Sequence, residues 1–299
     1  MNKYRNQINY NLGFCKLSPQ EFINEGLTGK IEWMQHDYKD RFFADPFILE
    51  ITNDELIVLA EECLFNNLHS GCIVELHIDK ITYKLKARHI ALQLNTHLSY
   101  PAIIRREDKV YVYPENSASG KLRIYEYDYS THKLINPKVI LDEAVVDATI
   151  FDNGGKWYLT ATKVSDTRQN VFLYMSDEFN GTYKQVSNSP FNTSLRCSRP
   201  AGDIIKCGDR LFRPAQDCVG GYGVGTTIME IKEITTDRII EEEINHIEPT
   251  SFRYSKGLHT INFYRDICVI DANGYLMPIG GRICDWVICI LRWFKRLLS

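Results

Sequence analysis

The chain has 299 residues, 44% hydrophobic and 24% charged, with a formal net charge of −3. That balance is of an ordinary water-soluble domain and lacks the basic excess that nucleic-acid binding requires, so no nucleic-acid partner is expected. Nine cysteines, an odd number without a C-x-x-C pair, exclude a disulfide framework or a zinc ribbon.

In chain order, the opening MNKYRNQINYNLGF lacks the apolar stretch of a secretory leader, and with the cysteine pattern this points to a reducing cytoplasm as the expected location. Residues 1–30 are expected to close the fold as an N-terminal segment. From there a single pattern repeats: an apolar strand, a polar or Gly-containing turn, and a second strand. It occurs as ADPFILEITNDELIVLAEE (Ala44 to Glu62), SYPAIIRREDKVYVYPEN (Ser99 to Asn116), DATIFDNGGKWYLTATK (Asp147 to Lys163), SRPAGDIIKCGDRLFRPAQD (Ser198 to Asp217) and GLHTINFYRDICVIDANG (Gly257 to Gly274). Segments between the hairpins, such as GCIVELHID and KLRIYEYDYS, alternate as half-buried outer strands do. Few windows carry sustained helical spacing. The spacing of the hairpins and the supply of two further strands per unit predict an all-β fold, a five-bladed β-propeller over residues 31–281.

In a propeller the first strand of each blade lines the central channel, and its starting end lies at one mouth. Asp45, Tyr100, Asp147, Arg199 and His259 occupy that position in the five hairpins and are expected to converge. The ends of the second strands add Glu61 or Glu62, Glu115, Lys163, Arg213, Gln216 and Asp217, and His97 starts the approach to the second channel strand. Asp-Pro and Arg-Pro are also ordinary turn starters, so each residue alone has a purely structural reading. Their recurrence at one blade position favours a shared site, because a ring of charges on a concave mouth is costly unless paired or used.

The segments FADPF, HLSYP, YPEN, DATIF, SRPAG, RPAQD and GLHTIN resemble the N-terminal propeller of plant glucosamine inositolphosphorylceramide transferases and its bacterial surface-polysaccharide relatives, over about Ile31 to Gly274. More distantly the chain is similar to the five-bladed propellers of glycoside hydrolase family 43. That likeness implies a blade-one Asp as general base, matched by Asp45, and a blade-three Asp that orients, matched by Asp147. The family's blade-four Glu, the general acid, is replaced by Arg199, which cannot donate a proton near neutrality. A substitute acid would come from Glu62, Glu115 or Asp217. The expected catalytic set is Asp45, Asp147 and Glu62, with His97, Tyr100, Glu115, Lys163, Arg199, Arg213, Gln216, Asp217 and His259 binding substrate.

Arginines, a histidine and carboxylates together suit a phosphate and a sugar, as in a sugar nucleotide or a lipid-linked glycan. Glycosyl transfer in cell-envelope polysaccharide or glycolipid synthesis is therefore the leading expectation. The alternatives are a glycan-binding propeller without catalysis and a glycoside hydrolase with a substitute acid. No cofactor is expected beyond a sugar-nucleotide donor; His36, His69 and His97 show no paired metal spacing, while a divalent ion stays compatible with the pattern. VGGYGVG (Val219 to Gly225) reads as close backbone packing at the channel rim, NGGKW as a hairpin turn and DRIIEEEINHIEP as a solvated outer edge. The tail CDWVICILRWFKRLLS, within an expected helix over 282–299, is too short and basic to span a bilayer but suits an amphipathic helix on the inner membrane face, making peripheral contact through 284–299.

Overall fold

All five expected hairpins form, each where the turn residues put it. In a computed structural model, which describes residues 9–275 and 277–297, they begin at β3 (Arg41–Ile51), β7 (Ser99–Arg106), β11 (Val145–Asn153), β15 (Ile205–Cys207) and β19 (Gly257–Tyr264). Their return strands are β4 (Glu55–Leu64), β8 (Lys109–Glu115), β12 (Lys156–Lys163), β16 (Arg210–Asp217) and β20 (Ile267–Asn273). The Asn153–Lys156 turn carries Gly154 and Gly155 at φ of 60° and 79°, the left-handed pair that a two-residue hairpin turn requires.

Each hairpin gains two outer strands and becomes a four-stranded antiparallel blade. Blade one adds β5 (Asn67–Asp79) and β6 (Leu85–Leu92); blade two adds β9 (Leu122–Asp128) and β10 (Lys133–Leu141). Blade three adds β13 (Asp166–Ser176) and β14 (Lys184–Gln185), and blade four adds β17 (Gly225–Ile234) and β18 (Ile239–Ile247). Blade five takes its outer strands from the other end of the chain: β1 (Tyr10–Lys16) pairs along the whole of β20, and β2 (Glu32–Trp33) follows it. The ring is thus closed by backbone hydrogen bonds between early and late sequence. Between β1 and β2, α1 (Pro19–Glu25) is fixed by a capping box, with Ser18 and Glu21 satisfying each other's backbone amides.

Adjacent blades are held together by apolar layers. Phe47, Leu59 and Ile73 of blade one pack with Ala102, Ile104 and Tyr113 of blade two in a cluster that continues to Leu159 and Tyr174 of blade three. Each such fully buried side chain contributes about 1.5–3 kcal/mol. The chain then leaves the ring as α2 (Pro278–Leu297). Ile279, Ile283 and Trp286 on this helix are more than half exposed. Arg292, Lys295 and Arg296, on which the expected basic face rests, have side chains outside the described residues, as do Leu298 and Ser299 altogether. Among the described residues no helix is long and apolar enough to cross a membrane.

Candidate functional site

Four channel strands share a defect that turns their first residues inward. Register shifts interrupt the ladder between Ala44 and Phe47, Ser99 and Ala102, Val146 and Thr149, and Gly257 and Thr260. Within three of these bulges Asp45, Tyr100 and Asp147 adopt left-handed φ of 50°, 44° and 48°. Non-glycine residues are held there only where the surroundings over-determine them, and such positions gather at functional sites. The bulge frees a backbone amide, and the neighbouring blade takes it. Asp45 N donates to Asp271 Oδ2 (2.8 Å), Tyr100 N to Asp45 Oδ2 (3.2 Å) and Asp147 N to Glu115 Oε2 (3.3 Å).

Blade four solves the same problem differently. Gly202 sits at φ 146°, and a Cβ there would meet the Ile261 carbonyl oxygen at 2.0 Å. This close approach lets Ser198–Ile204 leave the ladder, with a single isolated backbone bridge to β16 between Pro200 and Ala215, so that Arg199 reaches across to blade three. Arg199 Nε donates to Asp147 Oδ2 at 2.5 Å and Nη1 donates to the Thr167 carbonyl at 2.9 Å. Gln216 Nε2 donates to the same Asp147 oxygen at 2.8 Å.

These residues open into a cavity of about 230 Å³ at one mouth of the channel, lined among others by Asp45, Glu61, His97, Glu115, Asp147, Arg199, Tyr222 and His259. Its charges are arranged in two couples. The first is Arg199 with Asp147. The second is His259, whose Nδ1 lies 2.7 Å from Asp271 Oδ1 and whose Nε2 lies 3.5 Å from Asp45 Oδ1. Burial opposes the charge on His259, but Asp271 and Asp45 outweigh it and raise its pKa to about 9. Burial pushes Asp45 up to about 6, held back by His259, while Thr260 Oγ1 donates to its Oδ1 at 2.7 Å. Burial, reinforced by Asp147, raises Glu115 to about 8, and burial drives Glu61 well above its ordinary range. At neutral pH the mouth therefore holds a poised carboxylate at Asp45, a mostly protonated carboxyl at Glu115, a Glu61 carboxyl that holds its proton more tightly than usual, and fixed cations at Arg199 and His259. Asp45, His259 and Asp271 offer ligand atoms within 4.8 Å of one another, as do Glu61, Cys63 and His97. In the first set the His259 imidazolium already fills the place of a cation between two carboxylates.

Of the expected residues, Asp45, Asp147, His97, Glu115, Arg199 and His259 line the cavity together. Tyr100 is buried beneath it, its hydroxyl on Thr149 Oγ1, and Gln216 supports Asp147 from behind. Four others are placed elsewhere. Glu62 points away from the mouth and binds Arg41 and Arg88, so the acid at the end of β4 is its neighbour Glu61. Lys163 is engaged with Glu143 and Gln185. Arg213 is fully buried and donates to both carboxylate oxygens of Glu241 and to the Cys197 and Ser198 carbonyls. Glu241 belongs to the acidic segment expected as a solvated edge; strand alternation turns this residue inward while Glu242 stays exposed. Asp217 lies below the rim, where His246 and Arg196 hold it, and it accepts from Val219 N to fix the following loop.

That loop does pack at the rim: Gly223, at φ 55°, lies so close to His259 that a Cβ would stand 2.5 Å from the His259 Cβ. The same turn carries Tyr222 over Arg199, 5.0 Å from guanidinium to ring centroid. Tyr222, Tyr10 and Asp271 were outside the expected set, and Glu61 stood there only as the alternative to Glu62. The alternation of β4 could have indicated Glu61; nothing local marks Tyr10, which arrives from the closing strand.

The family model for glucosamine inositolphosphorylceramide transferase 1, N-terminal, matches residues 26–267. The chain is 26% identical over 215 residues to the transferase of that name from Oryza sativa subsp. japonica, covering 70% of this chain and 28% of the relative. With the Arabidopsis thaliana protein it shares 27% identity over 253 residues, 80% of this chain and 32% of the relative. The chain thus spans about a third of the length of these relatives. Among solved structures it resembles a family 117 glycoside hydrolase of Zobellia galactanivorans, with a TM-score of 0.54 at 12% identity over 90% of this chain and 92% of that one. A family 43 β-xylosidase/α-arabinofuranosidase from a compost metagenome, in complex with xylotriose, gives 0.53 at 11% identity, covering 77% and 90%. At such identities the likeness is one of fold, the five-bladed propeller.

Proposed function

The chain belongs to the family of glucosamine inositolphosphorylceramide transferase N-terminal domains, and from that premise we propose that it is a carbohydrate-active propeller that transfers a glycosyl group in the synthesis of a cell-envelope glycan or glycolipid. The observation that carries this reading is Arg199, a fixed cation in the cavity beside the Asp45–His259 couple, at the blade-four place where the resemblance to family 43 implies an acid. When the donor sugar is carried on a phosphate, the phosphate departs as an anion as the sugar passes to the acceptor hydroxyl; this leaving group needs no protonation but does need cationic stabilisation, which Arg199 and His259 supply.

In this reading the acceptor hydroxyl lies against Asp45. With a pKa of about 6, that carboxylate is mostly ionised at neutral pH yet basic enough to take a proton as the new bond forms. Asp147, locked between Arg199 and Gln216, orients sugar hydroxyls. The protonated carboxyl of Glu115 donates a hydrogen bond to the sugar, and Glu61 lines the same cavity. The donor class is a sugar nucleotide or lipid-linked sugar phosphate, and the exposed Ile279, Ile283 and Trp286 of α2 suit contact with the inner membrane face where such donors are used.

The test is incubation of the purified chain with a panel of sugar nucleotides and glycolipid acceptors, reading thermal stabilisation and donor turnover. Turnover lost in Asp45→Asn and binding lost in Arg199→Met are expected. Full product formation by Asp45→Asn would remove the assignment of the base. Vesicle co-sedimentation, weakened by Trp286→Ser, checks the membrane contact.

One observation favours a second reading, hydrolysis. Glu115, raised to about 8, is a carboxylic acid at neutral pH in the same cavity as ionised Asp45, the acid and base pairing that inverting glycosidases use. Release of free sugar from glycosides without a phosphate donor would select it.

A further inference from the structure

Away from the channel mouth, side chains of blades one and two meet in a second polar cluster. Glu75 on β5 is buried, 1% exposed, in the face between the two sheets. Its Oε1 lies 2.6 Å from His77 Nε2 on the same strand and 2.9 Å from His132 Nδ1 on the turn between β9 and β10. Its other oxygen accepts from the Tyr127 hydroxyl. His77 Nδ1 is held in turn by Glu55 Oε2 at 2.9 Å. His89 of β6 stacks on His132, ring centroids 4.5 Å apart and planes within 10°. Three histidines and two carboxylates from two blades thus share one spot that the glycosyl chemistry does not use.

We propose that this cluster is a transition-metal site, for Zn²⁺ above all, with Glu75 Oε1, His77 Nε2 and His132 Nδ1 as ligands. One ligand atom from each of these three residues lies within 4.8 Å of the other two. Zinc bonds of about 2.0–2.2 Å at tetrahedral angles set ligand atoms roughly 3.3 Å apart. His132 would therefore retreat from Glu75 by about 0.4 Å and His77 by about 0.7 Å. His132 sits on a turn at φ 56°, with its side chain more than a third exposed, which gives it room to move and leaves the fourth position to water.

The surroundings of the ligands argue for more than a chance meeting. A metal-binding histidine characteristically gives its second ring nitrogen to a carboxylate, and a metal-binding carboxylate is itself hydrogen-bonded. Glu55 does the first for His77, and Tyr127 does the second for Glu75. His77 stands between two carboxylates, so Nε2 can face a metal beside Glu75 while Nδ1 stays on Glu55. Two imidazoles with one carboxylate, and no thiolate, suit Zn²⁺ rather than the oxygen-seeking Ca²⁺ or Mg²⁺. The bound ion would tie β5 of blade one to the β9–β10 turn of blade two.

The full chain, stripped with chelator, should be titrated with ZnCl₂ by calorimetry and with Co²⁺ by absorption. One equivalent is expected to bind, with a Co²⁺ spectrum free of thiolate charge transfer and a rise in Tm on zinc addition. Glu55→Gln should weaken binding by about 10- to 100-fold. His132→Ala should remove both the binding and the Tm rise. The His132 variant decides the matter even where His77→Gln does not fold, because His132 lies on a partly exposed turn. Zinc uptake unchanged in His132→Ala, a thiolate band pointing instead to Cys63 with Glu61 and His97, or no uptake by the wild-type chain would each overturn the assignment. None of these readings depends on sugar turnover.

Discussion

Arg199 of blade four and Asp147 of blade three form an ion pair of 2.5 Å in which neither side chain is more than a tenth exposed. This contact joins two blades at the point where blade four abandons its ladder. It also decides the character of the cavity, because the cation is fixed by a carboxylate that can still face a sugar. A buried pair loses most when one member is removed, since the other is left charged and unpaired. Arg199→Met is therefore expected to cost about 3–5 kcal/mol in denaturant unfolding. The double variant with Asp147→Asn should be more stable than that single variant. A simple sum of the two single losses would show that the residues do not act as a pair.

A second buried pair looks alike in sequence but has a different consequence. Arg213 and Glu241 sit in the sheet of blade four and do not line the cavity. Arg213→Met should destabilise the chain by about 3–5 kcal/mol through stranded Glu241. Ligand affinity of the folded protein should stay at the wild-type level. A specific loss of sugar-phosphate binding at full stability would return Arg213 to the site.

The difference between these two arginines marks what could be read from the sequence. Both stand beside proline in one hairpin, and the repeat gave each an equal claim on the channel. The five blades were legible because the strand–turn–strand pattern is local, and the convergence of Asp45, Asp147 and His259 followed from the repeat. Which face a second-strand residue presents depends on ladder phase, and a bulge of one residue reverses it. Glu61 and Glu62 are adjacent, so a shift of one position exchanged the cavity acid for an outer ion pair. Glu241 and Tyr222 were hidden for another reason. Their partners, Arg213 and Arg199, lie more than 20 residues away and are joined to them only by tertiary structure.

Stability should fall as pH rises, because Asp45, Glu61, Glu115 and His259 hold protons more tightly in the folded state and together outweigh His97, whose burial lowers its pKa. Asp45 is raised from 3.8 to about 6 and Glu115 from 4.5 to about 8, with Glu61 shifted the same way. The stability they contribute is complete below their unfolded values and is lost as pH climbs through the folded ones. His259, raised from 6.5 to about 9, adds stability below about 6.5 that disappears on passing 9. Urea midpoints measured at constant ionic strength should therefore decline from about pH 5 to about pH 9. A rising profile across that interval would contradict the arrangement of charges described for the mouth.

Glu115→Gln separates the two chemical readings and tests the same protonation state. At neutral pH the Glu115 carboxyl carries a proton, so glutamine reproduces its neutral form and shape with little disturbance to the Asp147 amide that it accepts from. The variant should remain folded, and its pH profile of stability should be flatter between about 4.5 and 8 than that of the wild type. For transfer from a phosphate donor the leaving group needs no acid, so turnover should stay within about tenfold of wild type. A glycosidase deprived of its proton donor would lose about 10²- to 10⁴-fold with substrates whose leaving group must be protonated. Collapse of turnover in Glu115→Gln, with donor binding intact, would make Glu115 the general acid and replace glycosyl transfer by hydrolysis.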